Sequence, residues 1–299
     1  MTTNAPLTIV VASDNHYLIL LAALIKSIED TIRPNQPIDI YIIEDGTTLA
    51  NREKLQRSIN PSITTLHWQK MEEVIPEGMN LPLDRSSYPL NIYMRLFIPY
   101  FIPKEIEKVL YLDVDMIVQK DVTTLFENNL SEYVVAAVLD PRIITFDNSW
   151  GGVLNYADLG LPGNTSYFNT GLLLMNLVKW RALGVTEKII RCIDEHKKFA
   201  NYPDQYGLNV VLANQWLPLD TKWNHFSTIE PNEPPFLIHF VERKPIYQSY
   251  NYNKKFKEIF YNYLNQTEWK NFKPIGESSR YIKKIKNVGD KVLQMLKLK

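Results

Sequence analysis

VLYLDVDMIV, residues 109–118, decides the fold: it is an apolar, strand-like run carrying two aspartates one residue apart, Asp113 and Asp115. Residues i and i+2 of a strand point to the same face, so both carboxylates converge at one spot. Two close carboxylates repel, and each loses hydration unless a cation or a proton compensates. A divalent metal is the natural compensator. Oxygen ligands favour Mg²⁺ or Mn²⁺, ions that complete their shells with phosphate oxygens. The stretch therefore points to a metal-held phosphate ester at a strand's C-terminal end, with a strand running into an acidic turn as the plainer alternative.

Upstream, residues 7–12 form a short β-branched run followed by Ser13, Asp14 and Asn15, which predicts a first strand entering a loop. Helical spacing follows over 18–28. A second strand is expected over 38–43, ended by Glu44, Asp45 and Gly46, then a helix over 49–59 and a third strand over 63–68. Residues 88–101 have helical periodicity and lead into the quoted run. Downstream, strands are expected over 133–139, ending in Asp140, and over 170–175, with helices over 177–196 and 203–212 and a late strand over 236–240 that carries His239. Strands alternating with helices argue for an α/β fold with a mostly parallel sheet and right-handed crossovers. Such sheets bind ligands outside the carboxyl ends of their strands, where Asp14 and the Asp113/Asp115 pair fall. The connection 141–166 is rich in Gly, Pro, Asn and Asp, and its length marks a functional loop.

The chain has 299 residues, with 33 basic and 33 acidic side chains, so no net charge favours nucleic acid as a partner. The charge is uneven: residues 270–299 hold nine Lys or Arg against Glu277 and Asp290, a net of +7 that leaves −7 elsewhere. Within that tail Tyr281, Ile282, Ile285, Val288, Val292, Met295 and Leu296 recur at helical spacing among lysines. This is the pattern of a basic amphipathic helix lying on an anionic membrane surface; a helix docked on the domain with a solvated lysine face is the alternative. Cys192 is the single cysteine, so no intrachain disulfide forms and a reducing compartment fits. The first residues lack the features of a signal peptide, and no apolar run is long enough to span a bilayer. The expectation is a cytoplasmic protein, held by its tail at the inner face of a membrane, with residues 1–250 as a catalytic domain and 251–299 as the tail.

Taken together, the motifs resemble glycosyltransferase family 8, retaining nucleotide-sugar enzymes that include bacterial lipopolysaccharide galactosyltransferases and glycogenin. The resemblance runs in order from Ala12-Ser13-Asp14-Asn15-His16-Tyr17 through Tyr93-Met94-Arg95-Leu96 to the Leu110–Asp115 segment. It continues in Tyr167-Phe168-Asn169-Thr170-Gly171, Asp204-Gln205 with Leu208-Asn209, and His239-Phe240 with Lys244-Pro245. One departure stands out: the family places a glycine between the His and the Lys, and Trp after Lys-Pro, whereas this chain reads Val241-Glu242-Arg243 and then Ile246.

The resemblance implies a single GT-A-type domain, a UDP-hexose donor carrying galactose or glucose, a saccharide or glycolipid acceptor, and Mn²⁺, with Mg²⁺ as the other ion. By the same resemblance Asp113, Asp115 and His239 bind the metal, and Val114, Lys244 and Arg95 contact the donor. Ala12, Asp14 and His16 read the uracil and ribose, although Asp14 also suits a helix N-cap. Arg95 has a competing explanation as a buried ion pair. Asp140, Asn169, Asp204 and Gln205 surround the transferred sugar, and carboxylates and amides are what hexose hydroxyls require. Retention proceeds by double displacement or by same-face attack as UDP leaves. The nucleophile position falls on Gln205, whose amide is a weak nucleophile; that favours same-face attack, with Asp204 the alternative carboxylate. Two other readings remain: a nucleotide-sugar-binding domain without turnover, and a sugar-nucleotide pyrophosphorylase. The second needs a Gly-rich basic loop after the first strand, which residues 12–17 lack.

Overall fold

β1 (Leu7–Asp14) and β2 (Ile38–Asp45) are near-continuous apolar runs, the composition of strands covered on both faces. They pair in parallel with each other, and β2 pairs in parallel with β3 (Thr64–Lys70). The structure is a computed structural model that describes residues 5–82 and 89–276, together with 278, 281, 282, 285 and 289. α1 (Leu18–Thr31), α2 (Leu49–Gln56) and the short α3 (Met71–Val74) follow β1, β2 and β3 in turn. A 3₁₀ helix at Leu90–Phe97 and α4 (Ile98–Phe101) lead into β4 (Lys108–Leu112). β5 (Met116–Val118), α5 (Thr123–Phe126), β6 (Val135–Leu139) and β7 (Phe168–Asn176) come next. α6 (Leu177–Ala182), α7 (Val185–Glu195), α8 (Pro203–Val211) and β8 (Trp216–Pro218) complete the large sheet's elements. A 3₁₀ turn at Thr221–Asn224, β9 (His225–Phe226), β10 (Leu237–His239) and α9 (Lys254–Leu264) close the described fold.

The large sheet has seven strands in the order β3-β2-β1-β4-β7-β6-β8, with β7 antiparallel to both neighbours and the other pairs parallel. β5, β10 and β9 form a second, three-stranded sheet. Alternate residues of β1 face opposite layers: Ile9 and Val11 belong to the core that includes α1 and α9, while Val10 belongs to the other, with Tyr41, Phe97, Trp180 and Ile189. The expected mostly parallel α/β architecture is therefore what the chain adopts.

Three expected elements differ in detail. The quoted run is two strands: β4 ends at Leu112, Asp113–Asp115 make a turn, and β5 joins the other sheet. Both carboxylates still reach one place, through a turn rather than through strand alternation. The helix over 88–101 is mostly 3₁₀, over Leu90–Phe97, and turns α-helical at Ile98–Phe101, where Pro99 sits in the first turn that tolerates its missing N–H. The helix over 177–196 is two, separated at Gly184, whose φ of 58° is a left-handed stop.

α9 packs Phe256, Phe260, Tyr263 and Leu264 into the same core as α1, so the described part of the segment beyond 250 is continuous with the main body. The basic stretch from 283 onward lies largely outside the described residues; of its start, Tyr281, Ile282 and Ile285 are exposed. Among the described residues no helix is long and apolar enough to cross a membrane. Cys192 is buried in α7, and burial pushes its thiol up to about 12. The native protein should react with a thiol reagent at least roughly 100-fold more slowly than the unfolded chain, measured by absorbance under native and denaturing conditions.

Candidate active site

The turn after β4 sits where β7 bends. β6 pairs with β7 in one register at Ala137↔Leu173 and in another at Val138↔Asn169, so Thr170–Leu172 bulge out of that ladder. The bulge brings Asn169, Thr170 and Gly171 against the Asp113–Asp115 turn, and the Asp113 N–H donates to the Gly171 carbonyl at 2.8 Å. β10 delivers His239 to the same spot, with the Phe240 N–H donating to the Asp115 carbonyl at 2.8 Å.

Asp113, Asp115 and His239 each offer a ligand atom, and these atoms lie within 4.8 Å of one another. His239 Nε2 is 3.3 Å from Asp115 Oδ1 and 3.9 Å from Asp113 Oδ2. The Lys244 ammonium pairs with the other oxygen of Asp115. Burial opposes the charge of Asp115, but Lys244 and His239 outweigh it and hold the carboxyl well below the usual range. Two carboxylates and one imidazole, open on one side, fit a hard divalent ion that takes its remaining ligands from outside the protein.

Gly171 is the close approach that makes this cluster possible. A Cβ there would lie 2.6 Å from His239 Cε1, 2.8 Å from Met116 Cε and 3.0 Å from Asp113 Oδ2. Gly171→Ala should leave the protein folded but weaken Mn²⁺ binding at least roughly 10-fold, read by isothermal titration; unchanged affinity would show that the close approach at Gly171 does not set the geometry of metal binding.

Arg95 anchors the other side. It is buried, donates to the Thr170 carbonyl at 2.5 Å and the Ile92 carbonyl at 3.1 Å, and meets Asp113 Oδ1 at 3.0 Å and Asp204 Oδ2 at 3.3 Å. Its guanidinium also lies over the Tyr111 ring at 4.6 Å, and the Tyr111 hydroxyl donates to Asp113 Oδ1 at 2.7 Å. Burial disfavours the charge of Arg95, yet the neighbouring carboxylates raise its pKa. The buried ion pair and the place on the cavity wall are both realised.

A cavity of about 520 Å³ spreads from this cluster. Ala12, Arg95, Asp113, Val114, Asp115, Asp204, Gln205, His239 and Lys244, all singled out in the sequence, line it. Asp140 and Asn169 stand behind its wall. Asp140 Oδ1 accepts from the Arg142 and Ile143 N–H groups, each at 2.9 Å, and its Oδ2 accepts from Asn169 Nδ2 at 3.0 Å. Gln205 Oε1 accepts from Asn169 Nδ2, the Thr170 N–H and the Thr170 hydroxyl at 3.2–3.3 Å, which pins its amide. Asp204 has its carboxyl raised by burial, against the opposing pull of Arg95.

Asp14 and His16 are placed differently. The Asp14 carboxylate accepts from the Tyr17 N–H at 3.0 Å in the turn that precedes α1, and since the N-cap of α1 is Tyr17, with no side-chain cap, the N-cap role expected of Asp14 is not what the chain adopts. His16 lines a neighbouring cavity of about 360 Å³, and its Nε2 lies 2.9 Å from the Tyr247 hydroxyl. Tyr17, which closes the Ala12–Tyr17 motif but was given no site role, and Tyr247, which the sequence did not mark, line the main cavity instead. The one signal for Tyr247 was its place just past Lys244-Pro245.

The departure from the family at 241–243 has a conformational counterpart. Glu242 has φ +61°, a left-handed backbone that is unusual for a glutamate, while the other described non-glycine residues there are Asn35 and Asn214. Val241 and Glu242 line the cavity. Tyr252 donates its hydroxyl to Glu242 at 2.5 Å and Arg142 pairs with it at 2.5 Å, which together hold the carboxyl below its ordinary pKa.

A carboxylate pair and an imidazole at the C-terminal edge of a mostly parallel sheet, over a ligand-sized cavity, are the marks of a GT-A-type glycosyltransferase. The chain belongs to glycosyl transferase family 8, whose family model matches residues 8–259. It is 25% identical over 284 residues to general stress protein A of Bacillus subtilis (strain 168), covering 87% of this chain and 94% of that one. It is 28% identical over 276 residues to glycosyltransferase GlyF of Streptococcus pneumoniae serotype 4, covering 86% of this chain but 61% of that longer protein. Among solved structures, galactosyltransferase LgtC in complex with donor and acceptor sugar analogs aligns with a TM-score of 0.73 at 22% identity, covering 89% of this chain and all of that one. The bifunctional glycosyltransferase WbbM aligns equally well, TM-score 0.73 at 21% identity, over 90% of this chain and 51% of that one.

Proposed function

We propose that this chain transfers a hexose, galactose or glucose, from its UDP ester to a saccharide or glycolipid hydroxyl with retention of anomeric configuration. The observation that carries the reading is the convergence of Asp113, Asp115 and His239 at the head of the cavity, with Lys244 and Arg95 beside them. Breaking a sugar–phosphate bond leaves negative charge on UDP. A divalent ion held by the triad, Mn²⁺ by preference and Mg²⁺ as the other candidate, supplies electrostatic stabilisation of that charge. Lys244, whose ammonium pairs with Asp115 and donates to the Phe240 carbonyl, adds a positive charge on the same side. Arg95 pairs with Asp113 and orients its carboxylate.

Gln205 stands at the wall with its oxygen bound by three donors, which leaves little of its lone-pair density for a covalent bond to the sugar. That favours attack from the face UDP vacates, with the departing phosphate taking the acceptor proton. Among the described residues Asp204 is the one other carboxylate of the wall outside the metal triad and Glu242, and its pairing with Arg95 suits charge balance better than attack. Asp140 and Asn169 hold Gln205 in place. Ala12 and Val114, with Tyr17 and Tyr247, form the end suited to the nucleoside, and Asp14 and His16 shape the loop that carries it. The basic tail would bring the enzyme to an anionic cytoplasmic membrane face where a lipid-linked acceptor lies.

The test is UDP release from a panel of UDP-sugars with and without Mn²⁺. Metal-dependent release from one donor names the sugar. Binding of UDP without any turnover favours the second reading, a binding domain of the same fold, for which the Val241 and Glu242 side chains in the cavity speak. No binding of UDP removes both.

A further inference from the structure

The metal triad is backed by a chain of amides whose polarity a single backbone N–H decides. The Gly171 N–H donates to Asn169 Oδ1 at 3.0 Å, and a backbone N–H can only donate, so the Asn169 oxygen must face it. The same oxygen lies 2.8 Å from the Asn224 side chain, which must therefore present its NH₂ group there. The Asn224 oxygen is then turned the other way, 2.8 Å from His239 Nδ1. An amide oxygen can only accept, so Nδ1 must carry a proton. A neutral imidazole has one N–H, and its lone pair falls on Nε2, the nitrogen 3.3 Å from Asp115 and 3.9 Å from Asp113.

We infer that Asn224 is the positioning residue of the metal site, fixing His239 in the Nδ1–H form so that its Nε2 lone pair faces the ion. Three features agree. Asn224 and His239 are both buried, so water does not compete for these bonds. Asn224 ends the 3₁₀ turn before β9, and His239 ends β10, which pairs with β9, so two ordered elements set the spacing. The far end of the relay is also fixed, since Asn169 Nδ2 donates to Asp140 Oδ2 at 3.0 Å and to Gln205 Oε1 at 3.2 Å. The amides that bound the sugar side of the cavity and the ligand that binds the metal thus share one hydrogen-bonded chain. A partner that fixes a ligating histidine's tautomer raises metal affinity by roughly 10–100-fold.

This assignment rests on the metal reading of the triad, and the experiment separates the two. Ring ¹⁵N–¹H spectra of histidine-labelled, metal-free protein report which nitrogen of His239 carries a proton, with His239→Gln identifying its signals among the five histidines. The wild type is expected to show a slowly exchanging Nδ1–H, and Asn224→Leu to lose it. Mn²⁺ binding followed by electron paramagnetic resonance should weaken at least roughly 10-fold in Asn224→Leu. A bare Nδ1 in the wild type, or equal Mn²⁺ affinity in the wild type and the Leu variant, overturns the role of Asn224. Absence of Mn²⁺ binding by the wild type, with or without UDP, overturns the metal reading instead and leaves the proton position still decided by the spectrum. If Asn224→Leu does not fold, Asn224→Ala, which also removes the oxygen facing Nδ1, and the wild-type spectrum carry the test.

Discussion

Asp115→Asn is expected to lower UDP-sugar turnover by at least roughly 1,000-fold, the loss that follows when a charged ligand is withdrawn from a site that stabilises a developing anion. The substitution keeps shape and removes one of the two carboxylates that make the triad attractive to a dication. It also leaves the Lys244 ammonium without its partner and His239 Nε2 without its nearer neighbour. The same change should appear in a thermal melt. A metal present at about 100 times its dissociation constant stabilises the wild type by about 2.7 kcal/mol, and that increment should vanish in the variant. Turnover within 10-fold of wild type, with the metal-dependent rise in melting temperature preserved, would remove Asp115 from the metal site.

Arg95→Met should be the most damaging single change to the fold, costing about 3–5 kcal/mol, because it strands two carboxylates rather than merely deleting a contact. The Arg95 and Asp204 side chains are 6% and 10% exposed, so solvent screens their attraction little. Urea unfolding measures the cost. Its pH dependence has a definite sign. The Asp204 carboxyl is already raised in the folded protein by burial, despite Arg95, so the folded state holds that proton more tightly than the unfolded chain does. Its charged form therefore destabilises the fold above the folded pKa, and the penalty disappears as pH falls from the folded value toward the ordinary carboxylate range. Removing Arg95 raises that pKa further, so the variant should recover stability relative to wild type on mild acidification. A variant equally weakened at every pH would show that Arg95 acts through packing alone.

The large sheet was legible because its strands are buried on both faces and read as apolar runs, as in β1 and β2. The site was legible where chemistry and chain order coincided, as at Asp113, Asp115 and Asp204-Gln205. What escaped has specific causes. The strand over 109–118 is broken because its two halves join different sheets, a long-range fact that no local pattern encodes. The 3₁₀ helix before β4 has the apolar spacing of an α-helix, so periodicity does not separate the two. Asn224 is an asparagine in a short turn, and its role exists only because Asn169 and Gly171 of β7 and His239 of β10 arrive from two other segments. Asp140 and Asn169 were expected around the transferred sugar, whereas the structure puts them behind the cavity wall, bonded to Gln205 next to the β7 bulge that pairing registers reveal and sequence does not.

The left-handed glutamate at 242 has a consequence in mutational terms. Its backbone costs about 1–2 kcal/mol that a glycine would not incur. The half-exposed pair with Arg142 returns about 0–1 kcal/mol after solvent screening, and the Tyr252 hydrogen bond about 0.5–1.5 kcal/mol. These amounts nearly cancel, so Glu242→Gly should leave the melting temperature within a few degrees of the parent. Glutamate and glycine codons differ by one base. Selection for stability alone would therefore let position 242 drift between the two, and the restraint on that drift is whatever the carboxylate does at the wall of the cavity.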